Sequence, residues 1–221
     1  MRAMILAAGR GERMRPLTDA LPKPLLKVGG KMLIEYHLEK LKAAEVTDVV
    51  INHAWLGEKI EQALGDGARF GLNISYSAET EALETAGGIV NALPLLGSTP
   101  FIVINADIFC DVDFSTLVAP IAGLAHLLLV DNPEHNKDGD FALTESGYVQ
   151  QNGQSKLTFS GIGIYHPDLF KYKAKGKRAL APVLREAMDK QLVTGSHYQG
   201  MWHDIGTPAR LTELDLYLKN S

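Results

Sequence analysis

Short apolar runs alternate, in the first half of the chain, with segments whose apolar residues recur every three or four positions. Apolar runs predict buried strands, because a strand covered on both faces carries few polar side chains. They are Arg2–Ala7, Asp48–Asn52, Leu72–Tyr76 and Phe101–Asn105. The recurring segments predict amphipathic helices over Leu33–Leu41, Glu58–Leu64 and Ala86–Leu93. This alternation predicts an α/β fold in which helices cover a mostly parallel sheet.

The second half of the chain has a different pattern. Leu124–Val130 predicts another buried strand, whereas Phe141–Ile164 predicts short strands joined by turns. Leu180–Lys190 and Pro208–Leu218 predict closing amphipathic helices. Because no repeat, low-complexity segment or Pro/Gly/Ser-rich linker interrupts the chain, we expect one domain over residues 1–221.

Composition excludes several classes of partner. The chain has 221 residues, 46% of them hydrophobic, and a formal net charge of −4, so it can form a core but attracts neither nucleic acid nor an anionic membrane. The basic segment Lys171–Arg178, whose single aromatic residue is Tyr172, predicts a solvated turn. The apolar stretch Leu117–Val130 is shorter than the roughly 20 residues a membrane span requires.

The cysteine content and the N-terminal segment bear on the cellular compartment in which we expect the protein. Cys110 is the only cysteine, which excludes an intrachain disulfide and a cysteine-based zinc cluster. The N-terminal apolar run is too short for a signal peptide and leads into Gly9 rather than a small-residue cleavage site. We therefore expect a cytoplasmic protein. The sequence leaves the oligomeric state open and is compatible with a monomer.

A glycine-rich loop follows the first predicted strand. Gly9 and Gly11 lack a Cβ, so backbone N–H groups there can converge on an anion. Arg10, Arg13 and Arg15 add charge suited to a polyphosphate, although an ordinary turn with solvated arginines remains an alternative. A dinucleotide-binding fingerprint would need a third glycine in place of Met14, and a P-loop would need Gly-Lys-Ser/Thr, which is absent.

Three further polar residues are candidates for chemistry. Lys23 stands between two prolines that restrict its backbone, so it is either a second phosphate contact or a surface lysine. Asp107 follows a buried strand, at the sheet edge where ligands of α/β folds bind. Asp204 precedes the last helix and could simply shape that turn. If the two carboxylates meet, they form an all-oxygen site suited to Mg²⁺.

Taken together, the motifs resemble those of the sugar-1-phosphate nucleotidyltransferases. Five of them stand in the family's order and extend over nearly the whole chain: Leu6–Thr18, Pro22–Leu26, Glu84–Ile89, Asn105–Asp107 and Trp202–Thr207. The resemblance implies a Rossmann-like sheet with a small mixed β region that forms the sugar pocket. It also implies a nucleotide-binding part at about residues 1–110 and a sugar-binding part at about residues 111–221.

The resemblance also implies an activity. A sugar-1-phosphate oxygen would attack the α-phosphorus of an NTP, and pyrophosphate would leave. Asn132–Phe141, Phe159–Tyr165 and the short length carry a narrower likeness to members that transfer UMP from UTP to N-acetylmuramate 1-phosphate in peptidoglycan recycling. Alternatives are mannose 1-phosphate with GTP and, in another class, a non-catalytic nucleotide-sensing module.

Roles for individual residues follow from this resemblance. Near the triphosphate, we expect the Gly9–Gly11 amides and Glu12 beside it, Arg13 on the α-phosphate and leaving group, Lys23 at the reacting centre, and Asp107 and Asp204 on Mg²⁺. Around the rest of the substrates, we expect Ala8, Glu79 and Gly88 at the base and ribose, and Asn105, Asp140 and Gly161 at the sugar. Many relatives hold the sugar phosphate with a lysine in an E-K-P motif that is absent around Gln151–Gly153. The resemblance therefore assigns no residue here, including Lys156, to that phosphate.

Overall fold

The structure is a computed structural model that describes residues 1–171 and 173–220; Tyr172 and Ser221 lie outside the described residues. Within the described residues the strands are β1 (Arg2–Leu6), β2 (Lys27–Val28), β3 (Lys31–Met32), β4 (Asp48–His53), β5 (Asn73–Ala78), β6 (Phe101–Asn105), β7 (Ile108–Cys110), β8 (Ala125–Val130), β9 (Phe141–Leu143), β10 (Val149–Gln150), β11 (Lys156–Tyr165), β12 (Val193–Tyr198) and β13 (Trp202–Asp204). The helices are α1 (Leu17–Ala20), α2 (Leu33–Ala43), α3 (Gly57–Leu64), α4 (Glu84–Leu96), α5 (Leu180–Met188) and α6 (Pro208–Asn220).

Four parallel strands, in the order β6-β1-β4-β5, form the core of the main sheet. Met4 in β1 pairs with Val50 on one side and Val103 on the other. The pairing also aligns Leu6 with Asn52 and Asn105, so the carboxyl ends of three strands meet at one edge. This edge is where an α/β sheet binds its ligands.

The remaining strands of the main sheet include antiparallel pairs. β11 runs antiparallel to β6, β8 and β9, while β12 lies parallel to β8 and β10 extends the sheet beyond β9. The predicted α/β class, with a parallel core and a mixed β region, is confirmed.

Helices bury both faces of the sheet. Along β1, Ala3 and Ile5 face a core that includes Leu38 of α2, whereas Met4 faces a core that includes Ile89 of α4. This period-two alternation explains why the strand is apolar at nearly every position. In the part of the chain that the structure describes, no helix is long and apolar enough to cross a membrane.

The sequence patterns did not predict five strands: the short neighbouring pair β2 and β3, and three strands with distant partners, β7, β12 and β13. β7 and β13 pair antiparallel over three residues each, with Asp204 opposite Ile108. β12 contains Thr194, Gly195 and Ser196, which give no apolar run, yet pairs along its whole length with β8. Such strands depend on a partner that is distant in sequence, so local periodicity does not reveal them.

Candidate active site

The glycine loop lies at the carboxyl edge of the parallel strands. Ala7 donates its backbone N–H to Asn52 Oδ1 at 2.9 Å, which ties the start of the loop to β4. Gly11 has φ +68°, and a Cβ there would lie 3.1 Å from Thr18 Cγ2, so the turn requires glycine. At Gly9, in contrast, a Cβ would meet no atom within 4 Å, so this position faces open space. The loop therefore leaves room beside its backbone for a ligand.

The three arginines of the loop are directed to different places. Arg10 stacks on Trp55, with Cζ 3.9 Å from the ring centroid, and Arg15 pairs with Asp19 at 2.7 Å. Arg13 lines the cavity, and its Nη2 would lie 3.3 Å from a Cβ on Gly206. Only Arg13 of the three is thus directed at the candidate site.

Lys23 is buried at the floor of the same cavity. It begins a 3-10 turn, Lys23–Leu25, after Pro22 in extended conformation. The lysine side chain is 9% exposed, and its Nζ lies 2.8 Å from Asp107 Oδ2. The surface-lysine alternative is wrong: Lys23 is held in place by the surrounding chain and by a carboxylate.

Pairing of β7 with β13 brings the segments of Asp107 and Asp204 together. The backbone N–H of Ile205 donates to the carbonyl oxygen of Asp107 at 2.8 Å. The Asp204 carboxylate accepts from Arg210 Nη1 at 2.7 and 2.8 Å and lies 3.0 Å from His135 Nε2. Arg210 and His135 were not singled out from the sequence, because no local motif links them to Asp204.

The donor set of these two aspartates is compatible with a hard cation. Among the described residues no group of three or more His, Cys, Asp or Glu side chains forms a complete metal site. Asp107 follows the main-sheet strand β6, and Asp204 lies on β13 in the paired β7–β13 segment. Carboxylates are suitable ligands for Mg²⁺, which keeps waters and substrate phosphates as its other ligands.

A buried polar cluster borders the loop on its other side. Asn52 Nδ2 donates to Glu79 Oε1 at 2.7 Å, and the backbone N–H of Leu83 donates to Glu79 Oε2 at 2.9 Å. Gly88 packs against both side chains, since a Cβ there would lie 2.7 Å from Asn52 Nδ2 and 2.8 Å from Glu79 Oε1. Asn52 lines the cavity and was not predicted; a polar residue ending an apolar strand was the available signal.

These groups surround a first cavity of about 480 Å³. Several of the predicted site residues line it: Ala8, Gly9, Gly11, Glu12, Arg13 and Lys23 from the predicted nucleotide side, Asp107 from the predicted metal site and Asn105 from the predicted sugar pocket. Three predicted residues do not line the cavity themselves but lie against residues that do. Glu79 and Gly88 lie against Asn52, and Asp204 lies against Gly206.

A second cavity, of about 610 Å³, adjoins the first and shares Glu84, Thr85 and Asn105 with it. Asp140 lines this cavity, and its Oδ2 accepts from the Phe159 backbone N–H at 2.8 Å. Gly161 has φ +81° and lies against Asn105, where a Cβ would be 2.6 Å from Nδ2. Of the three predicted sugar-contacting residues, Asp140 lines the second cavity, Asn105 lies where the two cavities join, and Gly161 lines neither cavity but lies against Asn105.

Two cations of the second cavity were not assigned from the sequence. They are Lys156, at the start of β11, and Arg185, on α5. Within residues 1–171 and 173–220, neither side chain forms an ion pair or a hydrogen bond, and no local motif marks them. They belong to the site only because β11 and α5 pack around the same space.

A buried histidine lies behind the first cavity. His37 of α2 stacks against Phe114, with ring centroids 6.3 Å apart. Burial lowers the pKa of His37 from its ordinary value of 6.5 to about 4, so the ring is neutral at pH 7.

Comparison with known proteins relates this geometry to a family. Residues 2–221 match the family model described as nucleotidyl transferase. The N-acetylmuramate alpha-1-phosphate uridylyltransferase of Neisseria meningitidis is 55% identical over 96% of each chain. The mannose-1-phosphate guanyltransferase beta-B of Xenopus laevis is 31% identical over all of this chain but only 65% of its own length.

A solved structure shows the same fold. A Bacillus anthracis protein assigned as a glucose-1-phosphate thymidylyltransferase, in complex with a sucrose, superposes with a TM-score of 0.89 over 100% of this chain and 96% of its own. Its sequence is 23% identical, so this likeness concerns the fold alone.

Proposed function

The chain belongs to the nucleotidyl transferase family, and from that premise we propose that it transfers UMP from UTP to N-acetylmuramate α-1-phosphate, releasing pyrophosphate. The observation that carries the proposal is the junction of the two cavities at Glu84, Thr85 and Asn105. One cavity offers a glycine loop and buried charges for a triphosphate, and the other offers space for a sugar. The 55% identity to the uridylyltransferase of Neisseria meningitidis supports this choice of base and sugar.

The reaction needs positioning and charge neutralisation more than proton transfer. An oxygen of the sugar phosphate forms a bond to the α-phosphorus of UTP while the bond from that phosphorus to the bridging oxygen breaks. The attacking oxygen is already anionic at pH 7, so a general base is unnecessary. Bringing two polyanions together is the main barrier, and fixed cations at the reacting centre lower it.

Lys23, Arg13 and the glycine-loop amides supply that neutralisation in our proposal. Lys23 is buried and already fixed by Asp107, so little reorganisation is needed when phosphate arrives. Arg13 lines the cavity next to Gly206 and faces the position proposed for the α-phosphate and leaving group. The open space beside Gly9 lets backbone N–H groups approach the β- and γ-phosphates.

Asp107 and Asp204 would hold Mg²⁺ in this scheme. The ion, when bound, would neutralise phosphate charge, and a second ion could serve the β- and γ-phosphates. Both carboxylates now contact cationic side chains, Lys23 for Asp107 and Arg210 for Asp204. Those partners would keep the two aspartates from repelling each other before substrate binds.

The remaining contacts divide between the two substrates. Ala8, Glu79 and Gly88 would border the uracil and ribose, with Asn52 holding Glu79 in place. Asn105, Asp140 and Gly161 would border the sugar, Asn105 at the junction and Asp140 deeper in the second cavity.

We place the reaction in the cytoplasm, in the recycling of peptidoglycan sugars. The identity to the uridylyltransferase of Neisseria meningitidis supports the pathway, since N-acetylmuramate is a sugar of peptidoglycan. Cys110, buried and free, is compatible with a reducing compartment.

The proposal is tested by pyrophosphate release from a matrix of substrates. UTP, GTP, dTTP, CTP and ATP are each combined with N-acetylmuramate 1-phosphate, N-acetylglucosamine 1-phosphate, mannose 1-phosphate and glucose 1-phosphate. We expect the largest kcat/KM with UTP and N-acetylmuramate 1-phosphate.

Other outcomes would replace the proposal. Preference for GTP with mannose 1-phosphate would assign the activity of the Xenopus laevis relative instead. Nucleotide binding without pyrophosphate release from any pair would indicate a sensing module.

A further inference from the structure

Two cations line the second cavity and have no anionic partner among the described residues: Lys156 and Arg185. We call the part of the lining that these two residues form the far wall. The carboxylate adjacent to Arg185 in sequence already has partners. Glu186, also on α5, forms an ion pair with Lys173 and lies 3.5 Å from Lys190, outside the cavity. Arg185 is adjacent to Glu186 in sequence, but consecutive helical residues point about 100° apart and do not face each other. The available carboxylate on α5 is therefore used elsewhere.

Arg185 is directed to the cavity by the periodicity of α5. Ala181, Leu184 and Arg185 all line the cavity, as expected for residues three and four positions apart on one helix face. The arginine is thus the charged member of an otherwise apolar wall.

Both cations lie away from the reacting centre. Asn105 marks the junction with the first cavity, and Gly161 of β11 lies against it. Lys156 is five residues earlier on β11, roughly 15 Å along the strand. Two residues before α5 begins, the Arg178 N–H donates to the Leu83 carbonyl at 2.9 Å, and Leu83 is adjacent in sequence to the junction residue Glu84. From Leu180, Arg185 is about 7 Å further along the helix axis.

The carboxylates that line the cavity do not neutralise this wall. Asp140 accepts from the Phe159 N–H, and Glu84, at the junction, lies 3.9 Å from Lys177 Nζ. The wall therefore presents positive charge to a part of the substrate that is remote from the attacking phosphate.

We infer that Arg185 and Lys156 bind a carboxylate substituent of the sugar, at the end of the substrate opposite the attacking phosphate. The inference rests on the proposed function, in which that substituent is the lactyl carboxylate of N-acetylmuramate 1-phosphate. An arginine pairs with a carboxylate through two parallel N–H donors, and a lysine adds a point charge. The two residues determine which sugar is used and take no part in the reaction at phosphorus.

The test compares two sugar phosphates that differ in the lactyl group. UTP-dependent pyrophosphate release is measured with N-acetylmuramate 1-phosphate and with N-acetylglucosamine 1-phosphate for the wild type, Arg185→Gln, Lys156→Gln and the double variant. We expect KM for the first sugar to rise about 10- to 100-fold in each single variant, the effect of losing one charge-assisted hydrogen bond. The kcat with N-acetylmuramate 1-phosphate should change far less. The kinetics with N-acetylglucosamine 1-phosphate and the KM for UTP should be nearly the same in the variants as in the wild type.

Two further variants separate a charge effect from a structural one. Lys190→Gln removes a positive charge two residues beyond the end of α5, outside the second cavity. This variant should leave the sugar preference unchanged. Arg185→Lys keeps the charge and should restore part of the affinity lost in Arg185→Gln. Equal losses with both sugars, or no rescue by lysine, would mean that Arg185 only shapes the wall and would overturn the inference.

The failure of this inference and that of the proposed function give different results. If the wild type prefers N-acetylmuramate 1-phosphate and the double variant keeps that preference, only the inference is wrong. If the wild type accepts sugar phosphates without a carboxylate and rejects N-acetylmuramate 1-phosphate, both are wrong.

Discussion

The two cavities differ in how their charges are organised before any substrate binds. In the first, Lys23 is paired with Asp107, and Asp204 beside it is held by Arg210 and His135. In the second, Arg185 and Lys156 line the wall without an ion pair among the described residues.

This difference separates chemistry from recognition. Groups already fixed by partners can stabilise charge in a transition state without reorganising. Unpaired and solvated cations gain their partner only when the substrate arrives, so they contribute to its binding. Changes in the first cavity should therefore lower kcat, and changes at the far wall of the second should raise KM.

The largest effect is expected from Asp107→Asn. The substitution keeps the shape of the side chain but removes the charge proposed to bind Mg²⁺ and the partner of Lys23. We expect kcat to fall by about 10³-fold or more, with little change in the KM for the sugar phosphate. Pyrophosphate release measured across a Mg²⁺ titration checks this.

Asp113→Asn is the matched control for that variant. Asp113 is close in sequence and its Oδ1 accepts from the Ser115 N–H at 2.9 Å, a cap that asparagine can also form. It should retain wild-type activity. A wild-type Mg²⁺ dependence in Asp107→Asn would remove Asp107 from the proposed metal site.

A somewhat smaller effect is expected from Lys23→Ala. Loss of a fixed cation at the reacting centre should lower kcat by roughly 10²- to 10³-fold. The exposed Lys27, replaced in the same way, should have no such effect. Steady-state kinetics and a thermal melt are measured together. A lower melting temperature with normal kcat would show that Lys23 is structural, which would contradict the proposed difference between the two cavities.

The smallest effect concerns stability on the two sides of the molecule. His37, behind the first cavity, has a pKa lowered by burial to about 4, so below pH 6.5 the unfolded chain binds a proton that the folded chain does not. Folding stability contributed by neutral His37 is present above pH 6.5 and is lost as pH falls towards 4, by up to roughly 3 kcal/mol. His37→Phe should remove this loss, as measured by urea unfolding at pH 7, 6 and 5.

His126 provides the comparison in the second half of the chain. It is a half-buried residue of β8, its Nδ1 lies 2.9 Å from Thr194 Oγ1 of β12, and burial also lowers its pKa. Because its ring is less deeply buried, His126→Gln should flatten the pH dependence of stability less than His37→Phe does. The reverse order would contradict the assignment of acid sensitivity to His37.

Much of the first cavity could be predicted from local sequence. The run Phe101–Asn105 predicted β6 with its observed bounds, and thereby placed Asp107 just beyond the sheet edge. Gly11 adopts the left-handed conformation that a glycine turn permits, and Lys23 is fixed between its prolines. These properties depend on residues close together in the chain, which is why sequence patterns reveal them.

The sequence could not predict which of the three loop arginines faces the cavity. Arg10, Arg13 and Arg15 are equivalent by composition, but Trp55 and Asp19 take two of them away from the cavity. Which long side chain reaches a ligand depends on the packing of neighbouring elements, not on its position in a motif.

By itself, the sequence determined the parallel core, the glycine loop and the order of the motifs, because burial periodicity and backbone preference are local properties. Only the tertiary structure decided that Asp204 lies beside Asp107, since this contact depends on the pairing of β7 with β13. It likewise brought Arg185 and Lys156 to the same cavity, because α5 and β11 are distant in sequence and come to line the second cavity only after the chain has folded.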